Sequence, residues 1–234
     1  MLTQKQHLEA LFLELGKYPL RYVLSKRRLI YFWHILHRDK KELIRKIYDS
    51  QNLDINKGDW CEIIQMEKLK YNILESDVDI SKMTKEKFKT LIENKINAHA
   101  LIYLKELAYS HSKSRLIANE HFEKKAYFSD RRFSKEDVQI LFALRTKTIN
   151  CNSNFKRQYG NDLTCRICTE EDSYEDEDHI LICSALTDGT STVQFSDVYG
   201  DVDSQYEAVK IFKKALRRRD VFLNLIEKSK NNLS

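Results

Sequence analysis

Apolar residues recur every three or four positions along most of this chain, which is the spacing of helices that bury one face. The pattern predicts a short first helix that ends at Gly16, a second that starts at Pro19 and a third capped by Asp39. The second helix is expected to bury Leu20, Val23, Leu24, Leu29, Ile30, Trp33 and Leu36.

Four further helices are predicted. One follows Gly58, the longest covers about 84–110, and the last covers about 204–227. Another begins at Ser134 with a capping box, because Asp137 stands three residues later. The predicted buried positions are Phe88, Leu91, Ile92, Ile96, Ala100, Leu101, Leu104 and Leu107 in the longest helix, and Val138, Leu141, Phe142 and Leu144 in the helix from Ser134.

Glycine and proline are rare, with 5 and 1 among 234 residues, which favours long helices over a sheet. We therefore predict a mainly α protein without internal repeats. It comprises a helical, bundle-like body over 1–149, a small zinc-knuckle module over 150–190 and a C-terminal helical tail over 191–234. Charged residues make up 32% of the chain, as suits solvated helix faces. The net charge of +5 permits an anionic partner without demanding one.

The most specific chemical signal is the motif C-x2-C-x10-H-x3-C, formed by Cys165, Cys168, His179 and Cys183. Three thiolates and an imidazole at this spacing suit a tetrahedral Zn²⁺ ion, and four protein ligands leave no open position for a catalytic water. Cys165 and Cys168 alone would also suit a redox site, but no βαβ pattern supports this alternative. Cys183 alone would also suit a buried apolar position. Cys151 is a spare thiol that could replace one ligand.

The cysteine count also bears on the environment of the protein. Five cysteines, an odd number, with knuckle spacing predict a reducing compartment and no disulfides. No apolar signal segment follows Met1, and no stretch approaches 18 uninterrupted apolar residues. We therefore expect an intracellular protein, nuclear or cytoplasmic, with no membrane span.

Lysine and arginine gather in short clusters with aromatic residues nearby, a composition that favours a phosphate-tracking surface. Any single cluster also suits a solvated helix face. The segment 145–157 is the best candidate because it joins a helix to the zinc module. The acidic run at 170–178 would repel phosphate and is expected to face away. The predicted nucleic-acid contacts are Arg27, Arg28, Lys113, Arg145, Lys147, Lys156, Arg157 and Arg166.

Three stretches resemble the carboxy-terminal region of non-LTR (LINE-type) retrotransposon reverse transcriptases: PLRYVLSKRRLIYFWHIL, LFALRTKTINCNSNFKRQYGNDLTCRIC and EDEDHILIC. The similarity runs from about Leu15 to Cys183. It implies a thumb-and-connector region that ends in a CCHC zinc knuckle and binds template RNA or target DNA. It also implies the polymerase domain of a parent enzyme as a partner. The acidic insert and the His–Cys spacing differ from the compact retroviral knuckle, so its mode of base binding does not carry over.

The sequence contains no paired aspartates on a turn between strands, the arrangement that holds two polymerase metals. A nuclease could use Asp130, Asp172 or Asp178, but no spacing organises these carboxylates. We therefore expect a non-catalytic nucleic-acid-binding protein. The alternative is a protein-interaction scaffold in which zinc is purely structural, and exposed apolar stripes on the first two helices would favour it.

Overall fold

The computed structural model describes residues 8–73, 79–154, 163–168, 170, 173–187 and 193–231. These residues are mainly helical, and no extended strand occurs among them, which confirms the predicted fold class. The chain divides into two compact units, which we call the helical unit (Gly16–Leu107) and the metal unit (Met1–Leu15 with Ala108–Ser234). The boundaries expected at 149 and 190 do not coincide with this division.

In chain order the helices are α1 (Leu8–Glu14), α2 (Leu20–Leu36), α3 (Leu43–Leu53), α4 (Trp60–Lys70), α5 (Lys85–Ser110), α6 (Arg115–Ala118), α7 (Lys135–Arg145), α8 (Glu177–Ile182) and α9 (Val202–Asn231). Single 3₁₀ turns occur at Ile80–Lys82, Ser112–Ser114, Ala126–Phe128 and Phe195–Tyr199. The longest predicted helix and the C-terminal helix are both present, and α9 is longer at each end than the pattern indicated.

The helical unit packs α2, α4 and α5 around an apolar core. A buried polar chain crosses this core: the Tyr71 hydroxyl donates to Ser25 Oγ over 3.0 Å, and the Ser25 hydroxyl donates to Glu67 Oε1 over 2.8 Å. Arg28 also donates to this carboxylate. Because its hydroxyl both accepts from Tyr71 and donates to Glu67, Ser25 can occupy the inner face of α2.

The buried face of α2 is not the one that the sequence predicts. The helix buries Tyr22, Ser25, Leu29, Phe32 and Ile35. Of the seven predicted positions, only Leu29 is fully buried, while Leu20, Val23 and Leu24 are exposed. The prediction was wrong because α2 carries two apolar stripes, and the polar Ser25 obscures the one that packs inward.

The turn after α2 also differs from the prediction. The helix α3 begins at Leu43 with Glu42 as its N-cap residue, so Asp39 does not cap it. The Asp39 carboxylate instead accepts from the Lys41 amide over 2.8 Å and closes a local turn. Gly58 lies in the connection before α4 with φ of +90°, a conformation that glycine adopts without strain.

The metal unit has its own core, to which α7, α8, α9 and two of the motif cysteines contribute. The predicted capping box is confirmed at the start of α7, where Ser134 and Asp137 each bond the backbone of the other. Lys147, two residues after the end of α7, has a φ of +50°, and the Thr148 amide closes the turn by donating to the Ala143 carbonyl over 2.7 Å. The core of the metal unit therefore joins α7, α9 and the segment 163–187, which carries the CCHC motif and which we call the metal-binding segment after its predicted role.

Candidate metal centre

Cys165 and Cys168 lie on a tight turn whose base is held by backbone pairing. The Cys165 amide donates to the Ser173 carbonyl over 2.7 Å. Next to this bond, Thr164 and Tyr174 form an isolated antiparallel bridge. The pairing brings both thiols to one side of the turn.

His179 and Cys183 lie one helical turn apart on the short helix α8. Asp176 caps this helix, since its carboxylate accepts from the His179 amide over 2.8 Å. The Cys183 amide donates to the His179 carbonyl over 2.7 Å, and Cys183 is the C-cap residue. The spacing of three intervening residues therefore places both side chains on the same face.

The turn and the helix bring four potential ligands together. One ligand atom from each of Cys165, Cys168, His179 and Cys183 lies within 4.8 Å of the others, and Cys168 Sγ lies 3.5 Å from His179 Nε2. A tetrahedral ion with metal–sulfur bonds of about 2.3 Å requires ligand atoms roughly 3.8 Å apart. All but Cys168 are buried. These residues could bind a metal ion.

The three thiols differ in acidity. Burial raises the pKa of the Cys183 thiol to about 12 and also raises the pKa of Cys165. Burial acts in the same direction on Cys168, but hydrogen bonds from Ser173 and from the Glu170 backbone outweigh it and lower the pKa of this thiol. A divalent cation would favour the thiolate form of all three.

The remaining cysteines do not join this group. Cys151 is fully buried in the core of the metal unit, with its sulfur 3.5 Å from Ser153 Oγ, and it is not among the four grouped ligands. Burial raises the pKa of this thiol. Cys61 is buried in the helical unit. All five cysteines are free thiols.

A buried ion pair connects the metal-binding segment to α9. Arg219 Nε donates to Glu175 Oε1 over 2.9 Å, and both side chains are buried. In the sequence, Glu175 belongs to the acidic run at 170–178 and Arg219 to a run of three arginines, and both runs are typical of exposed charge. Helical spacing could have revealed the position of Arg219, because Phe212, Ala215 and Arg219 form one buried stripe.

Arg145 was expected to contact phosphate, and the structure corrects this expectation. Its side chain is only 1% exposed. Its guanidinium donates to Glu14 over 2.8 Å, to Glu120 over 2.5 Å and to the Val198 carbonyl over 2.7 Å. Each of its three nitrogens thus donates a hydrogen bond inside the metal unit, and Arg145 is no longer a candidate phosphate contact.

The other predicted contacts fall into different environments. Arg27 is exposed on α2, whereas its neighbour Arg28 forms an ion pair with Glu67. Lys113 is half-buried and donates to the Asn154 carbonyl over 2.9 Å. Burial lowers the pKa of this lysine.

Two predicted contacts lie close to the metal-binding segment. Lys147 is half-buried at the end of α7, with Nζ 5.6 Å from the centroid of the Phe195 ring. Arg166 is exposed on the turn that carries the first two cysteines. The predicted contacts Lys156 and Arg157 lie outside the described residues.

Asp130 and Asp178, two of the carboxylates considered for a nuclease, belong to no cluster of three or more potential metal ligands among the described residues. Asp130 accepts hydrogen bonds from Arg132, and Asp172 lies outside the described residues. In the part of the chain that the structure describes, the cysteine–histidine group is the sole cluster of three or more potential metal ligands. Among those residues, no helix is both long enough and apolar enough to cross a membrane.

Comparison with known proteins gives no relative for this chain. No protein-family model, no curated protein and no solved structure matches it. The likeness to the reverse transcriptase region therefore depends on the three sequence stretches alone.

Proposed function

We propose that this protein is a zinc-stabilised, non-catalytic nucleic-acid-binding region derived from a non-LTR retrotransposon reverse transcriptase. The observation that carries the proposal is the grouping of Cys165, Cys168, His179 and Cys183 within 4.8 Å. Three sulfurs and one imidazole nitrogen form a donor set typical of structural zinc. Since all four positions would be filled by protein atoms, the ion would stabilise the fold and would not activate water.

The location of the ligands suggests what the zinc would stabilise. Cys165 and Cys183 belong to the same apolar core as Leu141 of α7 and Phe212 of α9. Structural zinc contributes roughly 10–16 kcal/mol in small zinc-finger peptides, which exceeds or matches the net stability of about 5–15 kcal/mol of ordinary domains. Loss of the ion would therefore weaken the core of the metal unit and not only the turn.

The distribution of charge supports an anionic partner. The helical unit carries 19 Lys and Arg against 13 Asp and Glu, a net charge of +6. The metal unit carries 21 against 22, a net charge of −1. A concentration of positive charge on one unit favours contact with a phosphate backbone more than the modest net charge of the whole chain does.

The proposal is tested by titrating fluorescently labelled single-stranded RNA and DNA with the zinc-loaded protein from 50 to 300 mM salt. Phosphate contacts release counterions, so we expect affinity to fall steeply and linearly on logarithmic axes. Absence of binding to either nucleic acid at 50 mM salt would refute the proposal.

Substitution of Lys147 by glycine removes a positive charge without destabilising the fold. Its φ of +50° is strained for lysine and relaxed for glycine, so Lys147→Gly should fold while losing one cation near the metal-binding segment. If this lysine contacts phosphate, the slope of the logarithm of affinity against the logarithm of salt concentration becomes shallower by about 0.7 for a single strand. Lys135→Gln, at the exposed start of α7, is the matched control and should leave the slope unchanged.

A specific observation also favours the second candidate function, a protein-interaction scaffold. The helix α3 buries none of its residues, and it exposes Leu43 by 74% and Leu53 by 90%. On α4, Met66 and Leu69 are also exposed. On α3, Ile44 and Ile47 are exposed beside Leu43, and exposed apolar side chains this close together favour a protein-binding surface. The polymerase domain of a parent reverse transcriptase is the partner that the sequence resemblance implies.

The scaffold function is tested by titrating the protein with the polymerase domain of a LINE-type reverse transcriptase, produced as a separate polypeptide. We expect a complex by analytical ultracentrifugation, and we expect Leu43→Lys with Met66→Lys to abolish it. A complex that forms equally well with this variant would exclude the surface on α3 and α4.

A further inference from the structure

Three cations of the helical unit, together with the imidazole of His34, lie on α2, just after it and at the start of α5. Arg27 and His34 are seven residues apart and lie on one side of α2, and Arg38 stands two residues after the helix ends at Leu36. Arg27 and Arg38 are exposed, and His34 is half-buried. Tyr31 lies between them on the same side, and its ring is 52% exposed.

The end of α2 is fixed to the turn that precedes α5. The Trp33 indole donates from Nε1 to the Met83 carbonyl over 3.1 Å. The His37 ring stacks on Trp33, with centroids 3.9 Å apart and planes inclined by 21°. These contacts hold Lys85, the first residue of α5, close enough for its charge to act on His34.

The titratable groups that act on His34 are Lys85 on α5, and Arg38 and His37 after the end of α2. Burial lowers the pKa of His34 first, and these three neighbours lower it further. The N-terminus of α5, a helix of 26 residues, adds the positive end of its dipole beside Lys85.

Neighbouring cations differ in having carboxylate partners. Lys26 forms an ion pair with Glu93, and Arg28 forms one with Glu67. Among the described residues, no carboxylate lies within ion-pair distance of Arg27 or Lys85, and Arg38 has only the exposed Glu42 at 3.7 Å. Like charges held together without counter-charges are unfavourable, and a bound anion would relieve this repulsion.

We propose that Arg27, His34, Arg38 and Lys85 form a track for consecutive phosphates of a single-stranded nucleic acid, with Tyr31 as an exposed ring for base stacking. This inference rests on the proposed nucleic-acid function and places its main contact surface on the helical unit. Arg27 and His34 are separated by seven residues of helical rise, about 10 Å, and Arg38 follows the end of α2, so the track is long enough for more than one phosphate. Stacking on Tyr31 tolerates any base, so binding depends little on sequence.

The test compares two triple variants with equal loss of charge in a salt titration with single-stranded oligouridine RNA. Arg27→Gln with Arg38→Gln and Lys85→Gln removes three cations of the track. Lys17→Gln with Lys46→Gln and Lys57→Gln removes three exposed cations elsewhere on the helical unit. We expect the track variant to make the slope shallower by about 2, since each contact contributes about 0.7, and the control variant to leave it nearly unchanged.

A second variant tests stacking without altering charge. Tyr31→Ala should weaken binding by about fivefold or more while leaving the salt slope as in the wild type. Circular dichroism checks that each variant keeps its helical content.

The outcomes separate this inference from the broader proposal. If the wild-type protein binds with a steep slope and both triple variants behave alike, the track is wrong and the nucleic-acid function stands. If the wild-type protein binds neither RNA nor DNA, both fail. Binding to phosphatidylserine vesicles that the track variant loses, without binding to RNA, would assign the cluster to lipid headgroups and overturn the inference.

Discussion

Arg145 and Glu14, which are 131 positions apart in the sequence, form a buried ion pair in which Arg145 Nε donates to Glu14 Oε1 over 2.8 Å. The other carboxylate oxygen accepts from the Tyr127 hydroxyl over 2.8 Å. Burial and the adjacent carboxylate raise the pKa of Tyr127, which keeps this phenol protonated as a donor. The pair joins α1 to the end of α7 inside the metal unit.

Substitution of Arg145 by methionine should destabilise the protein by about 3–5 kcal/mol, because it leaves the Glu14 carboxylate buried without its counter-charge. Urea unfolding measures the loss of stability. Arg132→Met is the control, since Arg132 pairs at the surface with Asp130 and Asp203 and its loss should change stability far less.

The double substitution Glu14→Leu with Arg145→Met should cost clearly less than the sum of the two single changes, because it removes both charges together. If Arg145→Met instead left stability intact and made RNA binding less sensitive to salt, Arg145 would be a phosphate contact after all.

Replacement of a metal ligand should affect the metal unit far beyond the ligand itself. We expect His179→Ala to lose the ion and to lose protection from hydrogen exchange in α7 and α9, because these helices share their core with the ligands. The core of Gly16–Leu107 contains none of the ligands, so its amides should stay protected.

Hydrogen exchange with mass spectrometry resolves the two units. Loss of protection confined to 163–187 would mean that the ion stabilises only the turn and α8. Loss across Gly16–Leu107 as well would mean that the two units do not unfold separately.

The capping box of α7 should contribute measurably to stability. Ser134 Oγ accepts from the Asp137 amide, and the Asp137 carboxylate accepts from the Ser134 amide over 2.8 Å. Ser134→Ala should cost about 1 kcal/mol in chemical denaturation. Ser129→Ala, at an exposed position outside the helix, serves as the control, and equal losses in the two variants would argue against the capping contribution.

The pKa of the His34 imidazole should lie below the usual value of about 6.5 in the free protein, because burial and the neighbouring Lys85, Arg38 and His37 disfavour its charged form. The folded state then binds this proton less tightly than the unfolded state. The contribution of His34 to stability is therefore fully present above the unfolded pKa of about 6.5. It is lost as the pH falls from that value through the lower pKa of the folded state.

Nuclear magnetic resonance of the histidine ring protons measures this titration directly, with His34→Gln to assign the signal. Addition of single-stranded RNA should raise the pKa of His34 if phosphate lies beside it. An unchanged titration in the presence of saturating RNA would place the nucleic acid elsewhere.

Local signals in the sequence predicted much of the fold. The capping box at Ser134, the buried stripe of α5 and the grouping of the four potential ligands all follow from residues close together in the chain. These features depend on spacing within one helix or one turn, which a sequence displays directly.

Contacts between residues far apart in the chain could not be predicted from the sequence. The inner face of α2 is decided by the bond from Ser25 to Glu67, 42 positions away, and the burial of Arg145 depends on Glu14. A charged residue gives no local sign that a distant partner will let it be buried. Hence Arg145 and Arg219 both resembled surface cations in the sequence.

The central claim is tested most directly by measuring the metal bound to protein purified without added zinc, with elemental analysis and X-ray absorption on the same sample. The account predicts one zinc per chain, with three sulfur ligands at about 2.3 Å and one nitrogen at about 2.0–2.1 Å. The Cys183→Ser variant should lose the ion or replace one sulfur with a lighter atom. Absence of zinc from the wild-type protein would contradict the proposed site. Three sulfur ligands in the Cys183→Ser variant would contradict it as well.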